Sequence, residues 1–533
     1  MRTKRRIYGL LAVMIAVLGL SAAIGAGSAA AAETPGEQCL LEFETGTEKF
    51  KAEGSSLQKL AQELWTGEKG SLGFDVNEEG CGTLVTGLKK AVKPLIKYNP
   101  DGSGAGLKAY GVGKANSPKG SKDIFIGTDE APNATQLTEI DTEAKGASNK
   151  GQALVIPVAQ APVAVLINPP SGCKLKENHL TNKDLEKVFN GLTKVWSGIT
   201  TAEGTCTGAI KRIVRKEGSG TTFQFKHYLF EINKEKLDCV KKTWAELQAE
   251  NTTWPEDCSK EGEKIALSEL LKIGEGGSGE AKEVAAKEGS VGYANLGDAR
   301  GPFTGANNYT WARVENELSA QFEYPGTAAP SKTAGSANCE GAHYPALPAL
   351  GADADWSAVY GGHPAENEHY PICTLTWDVA LVNYELAEVA NSREHAQTAY
   401  DYLNYVVAQN GGQSDFKTND YGEVEKVVGQ YAVEQARLIG KGNNVTASTK
   451  TLNFVAAPET KSVTYTNHGP AGWAPKLAIG GSGAANYKIV AGSTCTGTIA
   501  KGSTCKVEVE LKAGGTKGKA TLYAFEGPGV KLN

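Results

Sequence analysis

Arg215-Lys216-Glu217-Gly218-Ser219-Gly220-Thr221-Thr222 is the stretch on which the reading of this chain turns. It joins a fixed cation, a run of small residues and two threonines just ahead of an apolar, helix-like segment from Phe223 to Ile232. Glycines let the backbone fold tightly and aim its N–H groups inward. A helix that starts there adds the positive end of its macrodipole. Arg215 can then fork two N–H donors onto one oxyanion. These are the parts of a small tetrahedral-anion site. Plain surface turns use the same small residues, so the meaning of the stretch depends on the rest of the chain. No Gly-Lys-Ser/Thr follows the glycines, so it is not a Walker loop and nucleotide hydrolysis gains no support.

The chain has 533 residues, a length that suggests about three domains. It is 40% hydrophobic and 22% charged, an ordinary balance for a globular protein that buries a core. The net charge of −5 leaves no broad basic surface for nucleic acid. An anion receptor of this composition must therefore work through local donors.

The N-terminus reads as an export signal. Arg2, Lys4, Arg5 and Arg6 precede an apolar stretch from Tyr8 to Leu20, and small residues lead to Ala30-Ala31-Ala32, with cleavage expected after Ala32. Gly36-Glu37-Gln38 before Cys39 does not fit a lipoprotein cleavage site. Ten cysteines in an exported chain suggest disulfides. Their order suggests neighbouring pairs, Cys39–Cys81, Cys173–Cys206, Cys239–Cys258, Cys339–Cys373 and Cys495–Cys505, although order alone leaves the connectivity open. No Cys-x-x-Cys occurs and the seven histidines are scattered, so neither a structural metal nor a cofactor is expected; His363 and His369 read as loop surface residues.

Along the chain, helical spacing marks Ser55 to Trp65 and Thr83 to Val92. Strands are expected near Leu95–Tyr98, at Ile124–Gly127, at Ala153–Pro157 and at Val163–Ile167, the last two separated by Ala161-Pro162. Thr181 is placed to cap a helix over Lys183–Asn190, with Asp184 in an acidic version of the capping box. Ile210–Val214 reads as the strand that delivers the chain to Arg215. A glycine-rich loop over Gly274–Gly279 precedes a helix-like Glu280–Lys287 and a strand at Ser290–Tyr293. Residues 301–370 are rich in Gly, Ala, Pro and Asn and read as an extended loop region. Helices follow at Ser392–Ala408 and Tyr421–Ile439. This alternation of strands and helices predicts an α/β architecture. Past Gly440 the style changes: short β-like runs at Ser462–Thr466, Lys506–Leu511 and Lys519–Phe525 predict a small all-β sandwich, with Cys495 and Cys505 stapling one of its hairpins.

With these segments laid out, the chain resembles the phosphate-binding protein of bacterial phosphate ABC importers over roughly residues 50–435. The resemblance is carried, in order, by Gly54-Ser55-Ser56, Tyr98 through Gly106, Ile126 through Pro132, Arg215 through Thr222, and Gly277-Ser278-Gly279 through Tyr293. Leu180 through Leu185, with Phe189 and Trp196, adds to it. It implies a two-lobed, periplasmic-binding-protein-like α/β fold with the ligand in the cleft between the lobes. The implied division is a signal peptide over 1–32, a two-lobed domain over 33–440 (lobe one about 33–158 and 371–440, lobe two about 159–370), a linker over 441–451 and a sandwich over 452–533. Cys495-Thr496-Gly497-Thr498-Ile499 through Cys505 resembles Ig-like repeats of bacterial surface proteins.

Carried over by the same resemblance, Ser56 and Ser103 are hydroxyl donors of lobe one, and Arg215, Ser219, Gly220 and Thr221 form the half-site of lobe two. Gly220 would act through its backbone N–H, and Glu217 would orient the arginine. The chain departs from the pattern at Thr128-Asp129-Glu130-Ala131-Pro132. The acceptor carboxylate expected immediately before Ala-Pro is Glu130 here, and Asp129 takes the role if the loop is shifted. Such an acceptor distinguishes phosphate, which carries a proton near neutral pH, from sulfate, which does not.

The resulting expectation is a secreted, cell-surface or periplasmic solute-binding protein, not an enzyme, whose partners are inorganic phosphate and a membrane ABC permease. A candidate envelope partner for the C-terminal module is part of it. Two other classes compete: a secreted phosphatase, which would need a nucleophile with a base or a metal cluster, and an adhesion or scaffold protein that retains the receptor fold.

Overall fold

The computed structural model describes residues 50–66, 96–114, 123–143, 153–215, 217–237, 241–249, 254, 276–339, 342–344, 347–357, 359, 363–364, 369–384, 392–409, 411–424, 426–440, 445–468, 473, 475, 477–480, 483–518, 520–524 and 529–533. The expected signal peptide, the helix over Thr83–Val92, and Cys39, Cys81, Cys239 and Cys258 lie outside them.

The first half of the chain alternates strand and helix: β1 (Phe50–Gly54), α1 (Lys59–Trp65), β2 (Ile96–Asn99), α2 (Ser103–Ala109), β3 (Asp123–Thr128), α3 (Ala134–Glu143) and β4 (Ala153–Asn168). There follow α4 (Asn182–Phe189), β5 (Lys211–Arg212), α5 (Gly220–Ile232), α6 (Trp244–Ala249), α7 (Gly276–Ala286), β6 (Ser290–Asn295), α8 (Leu296–Arg300), β7 (Thr310–Trp311), β8 (Cys373–Leu381), α9 (Ser392–Val407) and α10 (Lys426–Ala436). The main sheet runs β2-β1-β3-β8-β4-β6-β5, with β7 also on β4. β1 is parallel to β2 and β3, whereas β8 is antiparallel to both β3 and β4.

Two lobes form because β4 belongs to both halves of this sheet. Its first part pairs with β8 as far as Pro162 opposite Cys373, and from Val163 it pairs with β6. The break expected at Ala161-Pro162 is therefore absent, and one strand of 16 residues crosses between the lobes. Proline removes a ladder donor. Pro162 sits where the strand changes partner, and Pro157 sits beside the register shift between Thr376 and Trp377, so both are accommodated. On one side of the crossing a core gathers Phe50, Trp65, Phe125, Leu154, Trp377 and Leu403. On the other, one gathers Leu185, Phe189, Trp196, Phe225 and Trp244, and a second gathers Leu166, Ile213, Val284 and Trp311.

Several local expectations need correction. Lobe one begins its helix at Lys59 rather than Ser55, because the Ser55 hydroxyl turns back to accept the N–H groups of Leu57 and Gln58. Thr181 does cap α4, accepting Asp184 N–H at 3.0 Å, but the Asp184 carboxylate bonds Thr200 rather than closing the box. The strand expected over Ile210–Val214 is reduced to Lys211–Arg212. The glycine run starts α7 at Gly276 instead of preceding the helix. Tyr421 lies outside α10, which starts at Lys426. Within the extended region, Tyr344, Trp356 and Val359 pack into the core of lobe one, so this part of residues 159–370 joins lobe one and not lobe two.

The C-terminal part consists of β9 (Val445–Ala447), β10 (Thr451–Leu452), β11 (Glu459–Asn467), β12 (Leu477–Gly480), β13 (Tyr487–Ile489), β14 (Thr504–Leu511), β15 (Ala520–Ala524) and β16 (Val530–Leu532). These make two four-stranded sheets, β9-β11-β14-β13 and β10-β16-β15-β12. Alternation places Val463, Tyr465, Val507 and Val509 of one sheet against Leu522, Val530 and Leu532 of the other, around the buried Trp473. Because β9 pairs with β11, residues of the expected linker are part of the sheet. Cys173–Cys206, Cys339–Cys373 and Cys495–Cys505 are disulfides. Among the described residues no helix is long and apolar enough to cross a membrane.

Candidate anion-binding site

Four chain segments from the two lobes meet at one place. The turn after β1 presents Ser55 and Ser56, the start of α2 presents Ser103, and the loop after β3 presents Asp129. From lobe two, the segment between β5 and α5 presents Arg215, Glu217 and Ser219, and the first turn of α5 presents Gly220 and Thr221. Glycine is obligatory at two of these points. Gly54 has φ +137°, and a Cβ there would lie 2.0 Å from the Gly127 carbonyl oxygen. A Cβ on Gly220 would lie 2.5 Å from Ser103 Oγ and 2.6 Å from Asp129 Cβ. At Gly220 the backbone of lobe two therefore packs directly against Ser103 and Asp129 of lobe one.

Arg215 is 1% exposed. Its Nε and Nη2 donate to the Glu217 carboxylate, and its Nη1 and Nη2 donate to Ser56 Oγ at 3.3 and 3.4 Å. The guanidinium is thereby oriented from within its own loop and reaches the opposite lobe. Ser219 caps α5 by accepting Thr222 N–H at 3.2 Å.

Asp129, also 1% exposed, faces this group from lobe one. Its Oδ1 accepts from Ser55 Oγ and, at 2.7 Å, from Thr376 Oγ1. Its Oδ2 accepts from Ser103 Oγ at 3.3 Å. Burial pushes the carboxyl above its ordinary range, against the pull of these three hydroxyls and of Arg215. Gln224 of α5 donates to the Asp129 carbonyl at 2.6 Å, a second tie across the cleft. Glu130 turns elsewhere: its N–H bonds Thr128 Oγ1 at 3.1 Å and its carboxylate accepts from Gln136 at 3.4 Å. Of the two carboxylates left open by the sequence, Asp129 is the one aimed into the cleft, because Ser55, Ser103 and Thr376 hold it there.

Sequence reasoning missed Ser55, Thr376 and Gln224. Ser55 adjoins the quoted Ser56, but nothing in a serine pair says which one faces a carboxylate. Thr376 lies on β8, 247 residues from Asp129 in sequence, and carries no local signal. Gln224 falls within a segment read only for its apolar spacing. Chemically, the arrangement offers a fixed cation and several hydroxyls to an anion, and one carboxylate able to accept a proton-bearing oxygen.

A family model for the PBP superfamily domain matches residues 78–346, just over half of the chain. The chain belongs to the PBP superfamily, and its fold is the two-lobed PBP-like α/β fold with an added β-sandwich. No curated protein matches it. Solved structures similar to it include a phosphate-binding protein from Stenotrophomonas maltophilia, 18% identical, covering 72% of this chain and 92% of that one, with a TM-score of 0.46. A high-affinity periplasmic phosphate-binding protein solved with phosphate is 19% identical, with the same coverages and a TM-score of 0.45. A possible phosphate binding protein from Planctomyces limnophilus is 14% identical, covering 73% and 96%, with a TM-score of 0.34.

Proposed function

We propose that the cleft captures inorganic phosphate, and that the protein is an exported solute-binding protein that delivers it to the permease of an ABC importer. The observation that carries this reading is the facing of Arg215 and Asp129, each 1% exposed, where Gly220 of one lobe packs against Ser103 and Asp129 of the other. Arg215 supplies two donors in a rigid fork suited to one oxyanion. Ser56, Ser103, Ser219 and Thr221 supply hydroxyls, and Gly220 a backbone N–H at the start of a helix of 13 residues. Asp129 supplies what an unprotonated anion cannot use, an acceptor. A monoprotonated phosphate can donate to it, whereas sulfate meets only repulsion.

Export is part of this proposal: three disulfides call for an oxidising compartment. We read the sandwich as an Ig-like module for an envelope partner. Calorimetric titration of the full chain with phosphate and with sulfate tests the ligand. Tight binding of phosphate with at least about a hundredfold preference over sulfate is expected, which is about 2.7 kcal/mol. Turnover of a chromogenic phosphate ester would replace this reading with the enzymatic one, and indifference to both anions with the scaffold.

A further inference from the structure

Glu280 is a buried carboxylate beside the cleft that the anion reading does not use. It lies on α7, one turn after Gly276, and residues four apart share a helix face. Gly276 is at the cleft: a Cβ there would lie 3.1 Å from Ser56 Cβ and 4.0 Å from Arg215 Nη2. Glu280 is 0% exposed. Its Oε1 accepts Tyr293 N–H at 2.9 Å, while its Oε2 is buried with no hydrogen-bond partner among the described residues. The hydroxyl of the same Tyr293 shares a hydrogen bond with Thr222 Oγ1 at 2.6 Å and accepts Arg215 N–H at 3.4 Å. Glu280 is thus tied to the residue that braces both the arginine backbone and the first turn of α5.

The charges around it define its state. Arg215 and Glu217 face it from the loop before α5, Asp298 from α8 and the Tyr309 phenol from the segment after α8. Lys59 of lobe one acts on Asp298, whose carboxylate is held by Ser278 and Asn295. Glu217 already pairs with Arg215. An ionised Glu280 beside this pair would add negative charge next to Arg215 and oppose any incoming anion. A wholly buried carboxylate oxygen without a donor is costly, and a proton on it removes the charge. Burial drives the carboxyl well above the ordinary range, Glu217 and Asp298 push the same way, and Arg215 and the Tyr293 N–H pull against them.

We propose that Glu280 is a positioning residue of the anion cleft: as the neutral acid it braces Tyr293 and leaves Arg215 to the anion, and its ionisation weakens capture. This rests on the phosphate reading. The test compares the full chain with its Glu280→Gln variant, which keeps the shape of the neutral acid. Inorganic phosphate is titrated calorimetrically from about pH 6 to about pH 10, since buried glutamates can titrate as high as about 8–9. The ionisation of phosphate itself affects both proteins alike, so the difference between them is the readout. At the acid end the two Kd values should agree within about threefold, and at the alkaline end the wild type should lose about tenfold more affinity per pH unit than the variant. Parallel profiles, or a variant weak at every pH, overturn the proposal. Difference infrared spectroscopy gives a reading independent of ligand: a carboxylic-acid carbonyl band at neutral pH, present in the wild type and lost in Glu280→Gln, is expected, and its absence from the wild type overturns the proposal. A wild type that binds no phosphate at any pH removes the phosphate reading, and the infrared band then decides the state of Glu280.

Discussion

The Arg215 guanidinium donates to Ser56 Oγ through both terminal nitrogens, at 3.3 and 3.4 Å, joining residues 159 positions apart and on opposite lobes. A hydroxyl that accepts from a cation keeps its own proton to donate. Ser56 therefore links closure of the cleft to the donor set within it.

Replacing Ser56 by Ala should remove both roles. Loss of a hydrogen bond to a charged partner costs about 1.5–3 kcal/mol, so phosphate Kd should rise by about ten- to a hundredfold. Calorimetry reads the affinity, and a thermal melt of the ligand-free protein measures any accompanying loss of fold stability separately.

Arg215→Ala should abolish tight binding and also destabilise the fold. The change leaves the Glu217 carboxylate, whose side chain is 8% exposed, without its cation, and breaking one side of a buried pair costs about 3–5 kcal/mol. The double variant Arg215→Gln, Glu217→Gln should recover much of that stability without recovering phosphate. Denaturant midpoints and titrations on the same samples separate the two effects. Arg215→Lys should also bind poorly, since a point charge cannot form the fork.

Asp129→Asn and Glu130→Gln should behave oppositely. Asparagine can present an N–H₂ donor where the carboxylate had only acceptors, so the variant should lose about tenfold or more in phosphate affinity, the scale of one hydrogen bond to a charged group. It should also narrow the preference over sulfate. Glu130→Gln should leave both affinities within about twofold, as its carboxylate meets Gln136 outside the cleft. Competition titrations with sulfate check the pair.

How far the fold could be read from sequence is visible in single residues. Thr181, Ile124–Gly127 and the alternation of Ala520, Leu522 and Ala524 carry local signals, and each sits as its pattern demands. The unbroken β4 was not legible, because whether Pro162 ends a strand depends on the partners that β8 and β6 provide. The start of α7 at Gly276 was likewise hidden: glycines read as a loop, yet Asp298 crowds the Cβ position of Gly277 at 2.4 Å and Gly276 takes a φ of +60° that favours glycine. The lobe-two half of the site could be read from one contiguous stretch. The lobe-one half depends on Ser55, Ser103 and Thr376 converging on Asp129, a relation made only by tertiary contact.

Glu53, the residue before Gly54 in β1, should make stability depend on pH in an unusual direction. Its carboxyl is pushed from 4.5 up to about 7, chiefly by burial and then by Asp123 and Asp101, with Lys51 opposing. The folded state therefore holds the proton more tightly than the unfolded chain. Its contribution is fully present below the unfolded value of 4.5 and is lost as pH rises through about 7. Glu53→Gln imitates the protonated form at every pH. Urea midpoints should show the wild type losing stability relative to the variant between about pH 5 and about pH 8, with equal slopes in denaturant. If the two proteins keep a constant difference across that window, Glu53 does not hold its proton in the folded protein.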